Sequence, residues 1–189
     1  MSSRIIRAQD CPPQPWKNGM GRTREIAVFP PGADIASFLW RVSVAEVDSA
    51  APFSTFPGVD RHIALLEGAG FTMTLDGGSS EHRLHEPFMP FAFPGEASVD
   101  VALANGPTRD FNLMLRRGKA RGRVDVWRAG VRHPLDGVSL VYVARGEVET
   151  PDGLLRAGDA WLYPPPVGET MFWQGDTVAL AVFIELAKV

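Results

Sequence analysis

Cysteine is nearly absent from this chain of 189 residues. Cys11 stands alone, which excludes an internal disulfide and leaves too few thiolates for a metal cluster. It precedes Pro12 and Pro13 with no histidine close by in sequence, so a thiolate nucleophile has little support. Unbroken apolar runs of the ~20 residues a membrane helix needs are also missing, and residues 1–7 carry Arg4 and Arg7 where a secretory signal needs an apolar stretch. A cytoplasmic protein with no membrane partner is expected. No single charge sign dominates either: 19 Lys+Arg against 22 Asp+Glu leave a formal charge of −3. The basic residues are scattered, so nucleic acid is not an expected partner. Gly-x-Ser-x-Gly, phosphate-loop and dinucleotide fingerprints do not occur. Among four histidines the one ligand-like spacing is His82 and His85, and a single pair of that kind is weak evidence for metal. No metal and no other cofactor is expected.

Proline and glycine, by contrast, are abundant, with 16 and 19 copies, well above the usual ~12% combined. Only residues 33–51 and 176–189 run longer than eleven residues without either, and both hold β-branched and aromatic residues suited to strands. The chain therefore reads as all-β. Strand candidates at 23–29, 38–44, 63–66, 71–75, 89–93, 99–103 and 111–115 are broken by turns such as Asp76-Gly77-Gly78, Pro94-Gly95 and Asn105-Gly106-Pro107. In 38–44, Phe38, Trp40, Val42 and Val44 take one face, and Arg41 and Ser43 the other, which marks a half-buried strand.

The second half repeats the first. Residues 141–146 resemble 63–68, Pro151-Asp152-Gly153 answers 76–78, Trp161-Leu162-Tyr163-Pro164 answers Phe91-Ala92-Phe93-Pro94, and 178–186 answers 111–115. Correspondences in the same order argue for an internal duplication, with extra length in the first half at 79–90. Two tightly packed barrels or sandwiches follow, over residues 1–117 and 118–189. The basic stretch from Arg116 to Arg123 is the boundary, either as a solvated loop or as an anion site.

Polar residues at special positions crowd into the first half. The segment Pro15-Trp16-Lys17-Asn18-Gly19-Met20-Gly21 is a tight turn or a ligand loop, with Lys17 and Asn18 supplying donors. The strand after it puts Thr23 and Glu25 on one face and Arg22 and Arg24 on the other. Residues 52–62 form a rigid aromatic turn containing Phe53 and leading to Arg61. Arg61 shares a strand face with Ile63 and Leu65, so in an apolar interior its guanidinium needs a carboxylate, either from Asp60 or Asp110 or from a ligand. Asp110, Asn112 and Met114 share a face of the 109–115 strand, where an Asp and an Asn could address an amide or formyl group or orient the arginine.

These motifs together resemble the HutD/Ves family of bacterial proteins. The resemblance rests on residues 15–26, on Phe38-Leu39-Trp40-Arg41-Val42-Ser43-Val44-Ala45, on residues 52–61 and on Asp110-Phe111-Asn112-Leu113-Met114. It implies a bicupin, two packed cupin-type antiparallel β-barrels in one chain. Metal-bearing cupins generally show a His-x-His pair with a Glu on the first motif and a further His on the second. Here the corresponding strands read Arg61-His62-Ile63-Ala64-Leu65-Leu66-Glu67 and Phe91-Ala92-Phe93-Pro94-Gly95-Glu96. For HutD the resemblance implies a regulator of histidine utilisation that senses a pathway carboxylate such as formylglutamate or urocanate. The expected ligand-binding residues are Lys17, Asn18, Thr23, Glu25, Arg41, Ser43, Phe53, Arg61, Asp110 and Asn112, with Trp16, Trp40 and Phe53 as walls. The expected partner is a small anionic ligand, bound without catalysis. A cupin-type isomerase, hydrolase or metal-dependent oxygenase, or a scaffold, is the alternative. A homodimer is also open, because strand edges of such barrels often pair.

Overall fold

The computed structural model describes residues 2–164 and 170–188. Met1 and Val189, the ends of two stretches read above, lie outside that description. The chain is all-β, with eighteen strands among the described residues and two single-turn 3-10 segments at Ala8–Asp10 and Asp76–Gly78. In chain order the strands of the first half are β1 (Arg4–Ile6), β2 (Pro13–Pro15), β3 (Gly21–Phe29), β4 (Trp40–Val47), β5 (Val59–Glu67), β6 (Phe71–Leu75), β7 (Ser80–Leu84), β8 (Phe91–Pro94), β9 (Val99–Leu103) and β10 (Thr108–Arg116). The rest are β11 (Ala120–Arg128), β12 (His133–Pro134), β13 (Val138–Arg145), β14 (Glu147–Thr150), β15 (Gly153–Arg156), β16 (Ala160–Leu162), β17 (Thr170–Met171) and β18 (Val178–Leu186).

Two compact units result. One spans residues 12–121; the other combines 1–11 with 122–189. The expected division at 117/118 with residue 1 in the first unit is thus corrected. β1 pairs antiparallel with β16, placing Ile5 opposite Trp161, and Arg7 reaches Asp159 at 2.7 Å. The short apolar strand gains ladder hydrogen bonds and a core contact there, which fixes the N-terminus to the second unit.

In the 12–121 unit, a six-stranded sheet of order β2-β3-β4-β10-β5-β8 accompanies a three-stranded sheet of order β7-β6-β9. Both are open sheets and not the closed barrels expected. Alternation explains how they meet: Ile63 and Leu65 of β5 and Phe93 of β8 pack with Phe71, Met73 and Leu75 of β6, Leu84 of β7 and Val99 of β9 in one buried cluster. The extra length at 79–90 supplies β7, paired along β6. Gly70 makes the turn into β6 at φ 80°, and a Cβ there would strike the Leu84 carbonyl, so only glycine fits this approach. In the other unit a five-stranded sheet has the order β1-β16-β13-β18-β11, and Trp127, Leu135, Val141, Trp161 and Trp173 belong to its core. The strand order β4-β10-β5-β8 of one unit is repeated as β11-β18-β13-β16 in the other. The shared order parallels the correspondences read between the two halves of the sequence.

Candidate functional site

β10 lies between β4 and β5, and its register lays polar residues out as a grid. Asp110 stands opposite Ala45 and Leu65, Asn112 opposite Ser43 and Ile63, and Met114 opposite Arg41 and Arg61. β3 extends the rows, with Thr23 opposite Ala45 and Glu25 opposite Ser43. The two-residue period of strands brings these side chains to one face. A cavity of about 460 Å³ opens over it. The Trp16-Lys17-Asn18 turn, Ile35 and the 52–56 segment complete its wall.

Arg61 is the best-buried cation there, at 6% exposure. Its Nη2 donates to Asn112 Oδ1 and its Nη1 to the Ser54 carbonyl, both at 3.3 Å, while Nε has no partner. The rings of Phe93, Phe53 and Phe56 surround the guanidinium at 4.8, 5.2 and 5.4 Å. Two long hydrogen bonds and three ring faces offset only part of the cost of burying the charge. Burial accordingly pushes its pKa down to about 10. Among the described residues no carboxylate neutralises it: Asp60, one internal candidate, pairs instead with Arg117 at 2.7 Å.

Asp110, the other candidate, is also buried. Its Oδ2 accepts from the Thr108 hydroxyl at 3.0 Å and its Oδ1 has no partner. Burial pushes this carboxyl up to about 7, against the opposing pull of the Thr108 hydrogen bond. Asn112 donates through Nδ2 to the Asp110 carbonyl at 3.2 Å, which aims its Oδ1 at Arg61. On the other side of β10, Arg41 donates through Nε to Glu25 at 2.8 Å and through Nη1 to Ser43 Oγ at 3.5 Å. The Trp16 indole donates to Thr23 Oγ1 at 2.8 Å, and Asn18 Oδ1 accepts from the Met20 amide at 3.0 Å. These two bonds hold the turn so that Lys17 borders the cavity. The arrangement can bind an anion: a guanidinium fork sits at the bottom, with a second guanidinium and an ammonium nearby.

A sequence model of the HutD family matches residues 8–177. The chain belongs to the HutD family. Among its relatives, an uncharacterized 21.2-kDa protein in the hutC 3′ region of Pseudomonas putida is 40% identical over 147 residues, covering 77% of this chain and 75% of that one. Protein Ves of Cronobacter sakazakii is 40% identical over 141 residues, covering 74% and 75% respectively. The structure of HutD from Pseudomonas fluorescens SBW25 is 29% identical with a TM-score of 0.84, covering 99% of this chain and 100% of that chain.

In this HutD-family chain, Lys17, Asn18, Thr23, Arg41, Ser43, Phe53, Arg61, Asp110 and Asn112 all line the one cavity. Glu25 does not; it is exposed and pairs with Arg41. Trp40 is likewise no wall, because it sits on the opposite face of β4 from Arg41, buried and stacked on Phe29 at 6.0 Å. Alternation along β4 already separated the two. Ile35, Phe56, Ser54 and Met114 line the cavity without having been singled out. Met114 was legible from its shared face with Asp110 and Asn112, whereas Ile35 was not, since it arrives from a turn distant in sequence. In the basic stretch, Arg117 pairs with Asp60 and Glu96, and Arg123 with Asp125. Among the described residues no group of three His, Cys, Asp or Glu side chains could hold a metal.

Proposed function

We propose that this protein binds a small carboxylate in the cavity of its 12–121 unit and acts, without catalysing a reaction, as a cytoplasmic sensor that regulates histidine utilisation. The observation that carries the reading is the buried Arg61 guanidinium, which lines a cavity and lacks a carboxylate of its own. A ligand carboxylate would supply the two parallel hydrogen bonds that the fork is shaped for. Formylglutamate and urocanate suit it as short carboxylates whose remaining polar groups can meet Asn112, Asp110 and Asn18. Family membership and the hutC-region relative support the link to histidine utilisation. The repeated strand order supports reading the two units as cupin-type halves of one duplicated ancestor.

The test is a thermal-shift screen with formylglutamate, urocanate and simple dicarboxylates, followed by calorimetry. A ligand at a hundred times its Kd adds about 2.7 kcal/mol, a rise of roughly 5–10 °C for a chain of this size. Arg61→Ala is expected to remain folded and to lose the shift. Unchanged affinity in that variant defeats the assignment. A second reading draws on Asp110, because a buried carboxyl titrating near neutrality in a cavity is also what an acid catalyst requires. Conversion of any probe, followed by proton NMR in the same samples, would replace the sensor with a hydrolase or isomerase.

A further inference from the structure

The Asp110 carboxyl has an environment that the anion site alone does not explain. It is 1% exposed, it lines the cavity, and its Oδ1 has no hydrogen-bond partner. Most charged groups around it are committed elsewhere, and none of the described ones bonds its carboxyl. On β3, Thr23 faces its row and Glu25, one pair along, is bound to Arg41 of β4. On β5, Leu65 stands opposite, while Arg61 reaches Asn112 and Ser54. Lys17 borders the cavity from its turn and makes no hydrogen bond to Asp110. On the far face of β3 and β4, Glu46 pairs with Arg22 and Arg24, and at the β10 bulge Arg109 pairs with Glu67. A carboxylate here would be shielded from solvent and, among the described residues, would have no bound counter-ion. A neutral acid avoids the cost of burying that charge, and because Oδ2 already accepts from Thr108, the acid proton belongs on Oδ1, where it lacks an acceptor until a ligand supplies one.

We propose that Asp110 is a protonated hydrogen-bond donor of the ligand cavity, so that an anion held by Arg61 binds together with one proton and presents an acceptor to Asp110 Oδ1. The proposal rests on the carboxylate-binding reading above and adds the chemistry of the ligand's other end. Arg61, Asn112 and Asp110 line the same cavity from neighbouring strands, with Asn112 between the rows of the other two. The ligand class is therefore a short carboxylate that also carries a carbonyl, formyl or second carboxylate oxygen. A ligand offering only an N–H at that end is disfavoured while the acid keeps its proton. The upward displacement of the Asp110 pKa to about 7 agrees with this assignment, and an anion nearby raises it further.

Calorimetry with formylglutamate and with glutarate at pH 6, 7 and 8, in buffers of different ionisation enthalpy, reads both affinity and protons taken up. If only the protonated cavity binds, Kd is about tenfold weaker at pH 8 than at pH 6, and close to one proton enters per ligand at pH 8. Asp110→Asn, which keeps a donor and cannot titrate, is expected to bind with an affinity that does not change with pH. The carboxyl carbon NMR signal of Asp110, assigned by its loss in that variant, gives the free protein's midpoint directly and does not depend on the variant's folding. Tight binding that is flat from pH 6 to 8, or a midpoint in the ordinary carboxylate range, overturns the proton-linked step and leaves the carboxylate site standing. No binding of either probe at pH 6 overturns both.

Discussion

Arg61 and Asp110 are opposite charges in principle, buried on one face of one sheet, and they do not neutralise each other. Each is costly to the ligand-free protein, and this gives two predictions about stability. Arg61→Met, which keeps the stem and removes the unpaired charge, is expected to raise ligand-free stability by about 1–3 kcal/mol in urea unfolding while abolishing anion binding; a destabilised variant would mean that the Phe53, Phe56 and Phe93 cage needs the cation. For Asp110 the sign follows from proton counting. The unfolded chain ionises this carboxyl near 3.8, whereas the folded chain holds its proton to about 7. The folded state binds more protons between those values, so wild type loses stability relative to Asp110→Asn as pH rises from about 4 to about 7 and the difference then levels off. Parallel unfolding curves at pH 5 and pH 8 check this, and equal differences at the two values would contradict it. The burial of Arg61 was legible from its alternation with Ile63 and Leu65. Its lack of a carboxylate among the described residues was not, because whether Asp60 or Asp110 reaches it depends on side-chain directions across three strands.

β3, β4, β10 and β5 make the site possible by holding a register, and the segments at their ends close it. Gly95 follows β8, and its carbonyl accepts from the Phe56 amide at 2.6 Å while its own amide donates to the Val59 carbonyl at 2.7 Å. A Cβ at this glycine would lie 2.6 Å from the Phe56 carbonyl oxygen and 2.8 Å from that of Val59. Gly95→Ala should therefore cost about 1–3 kcal/mol and displace the segment that carries Phe53 and Ser54 to Arg61, weakening formylglutamate binding as well as lowering Tm; an unchanged Kd would show that the segment is held elsewhere. Across β3 and β4, Glu25 occupies part of Arg41. Glu25→Gln is expected to strengthen binding of dicarboxylate probes several-fold in calorimetry by releasing that guanidinium, and weaker binding would assign Glu25 to positioning Arg41 instead. The strands themselves were largely legible, with 23–29 read and Gly21–Phe29 observed, because alternation and glycine turns are local. β7 was not read as a strand, since Ser80–Leu84 is polar except at its last residue and is paired through its partner β6.

At the scale of the whole chain, the two units each repeat one strand order, and the N-terminus belongs to the unit that ends the chain. Asp159 secures that return: it is buried, and it accepts from the Ala8 amide at 2.9 Å, the Arg156 amide at 3.1 Å and Arg7 at 2.7 Å. Asp159→Ala should lower stability by about 2–4 kcal/mol, because buried backbone donors lose their acceptor, without changing the affinity of the 12–121 cavity for formylglutamate. A parallel loss of affinity would show that the site depends on the other unit. The sequence by itself determined the all-β class, the duplication, the faces of β4, β5 and β10, and the family, because these are written in periodicity, turn chemistry and motifs that neighbouring residues carry. Only the tertiary structure decided that residues 1–11 cross to the second unit, that the sheets stay open, that Glu25 and Trp40 stand outside the cavity, and that Arg61 and Asp110 remain without each other. Those outcomes depend on which strands become neighbours and on the pairing of charges across them, where distances of a few ångströms in space join residues that the sequence separates.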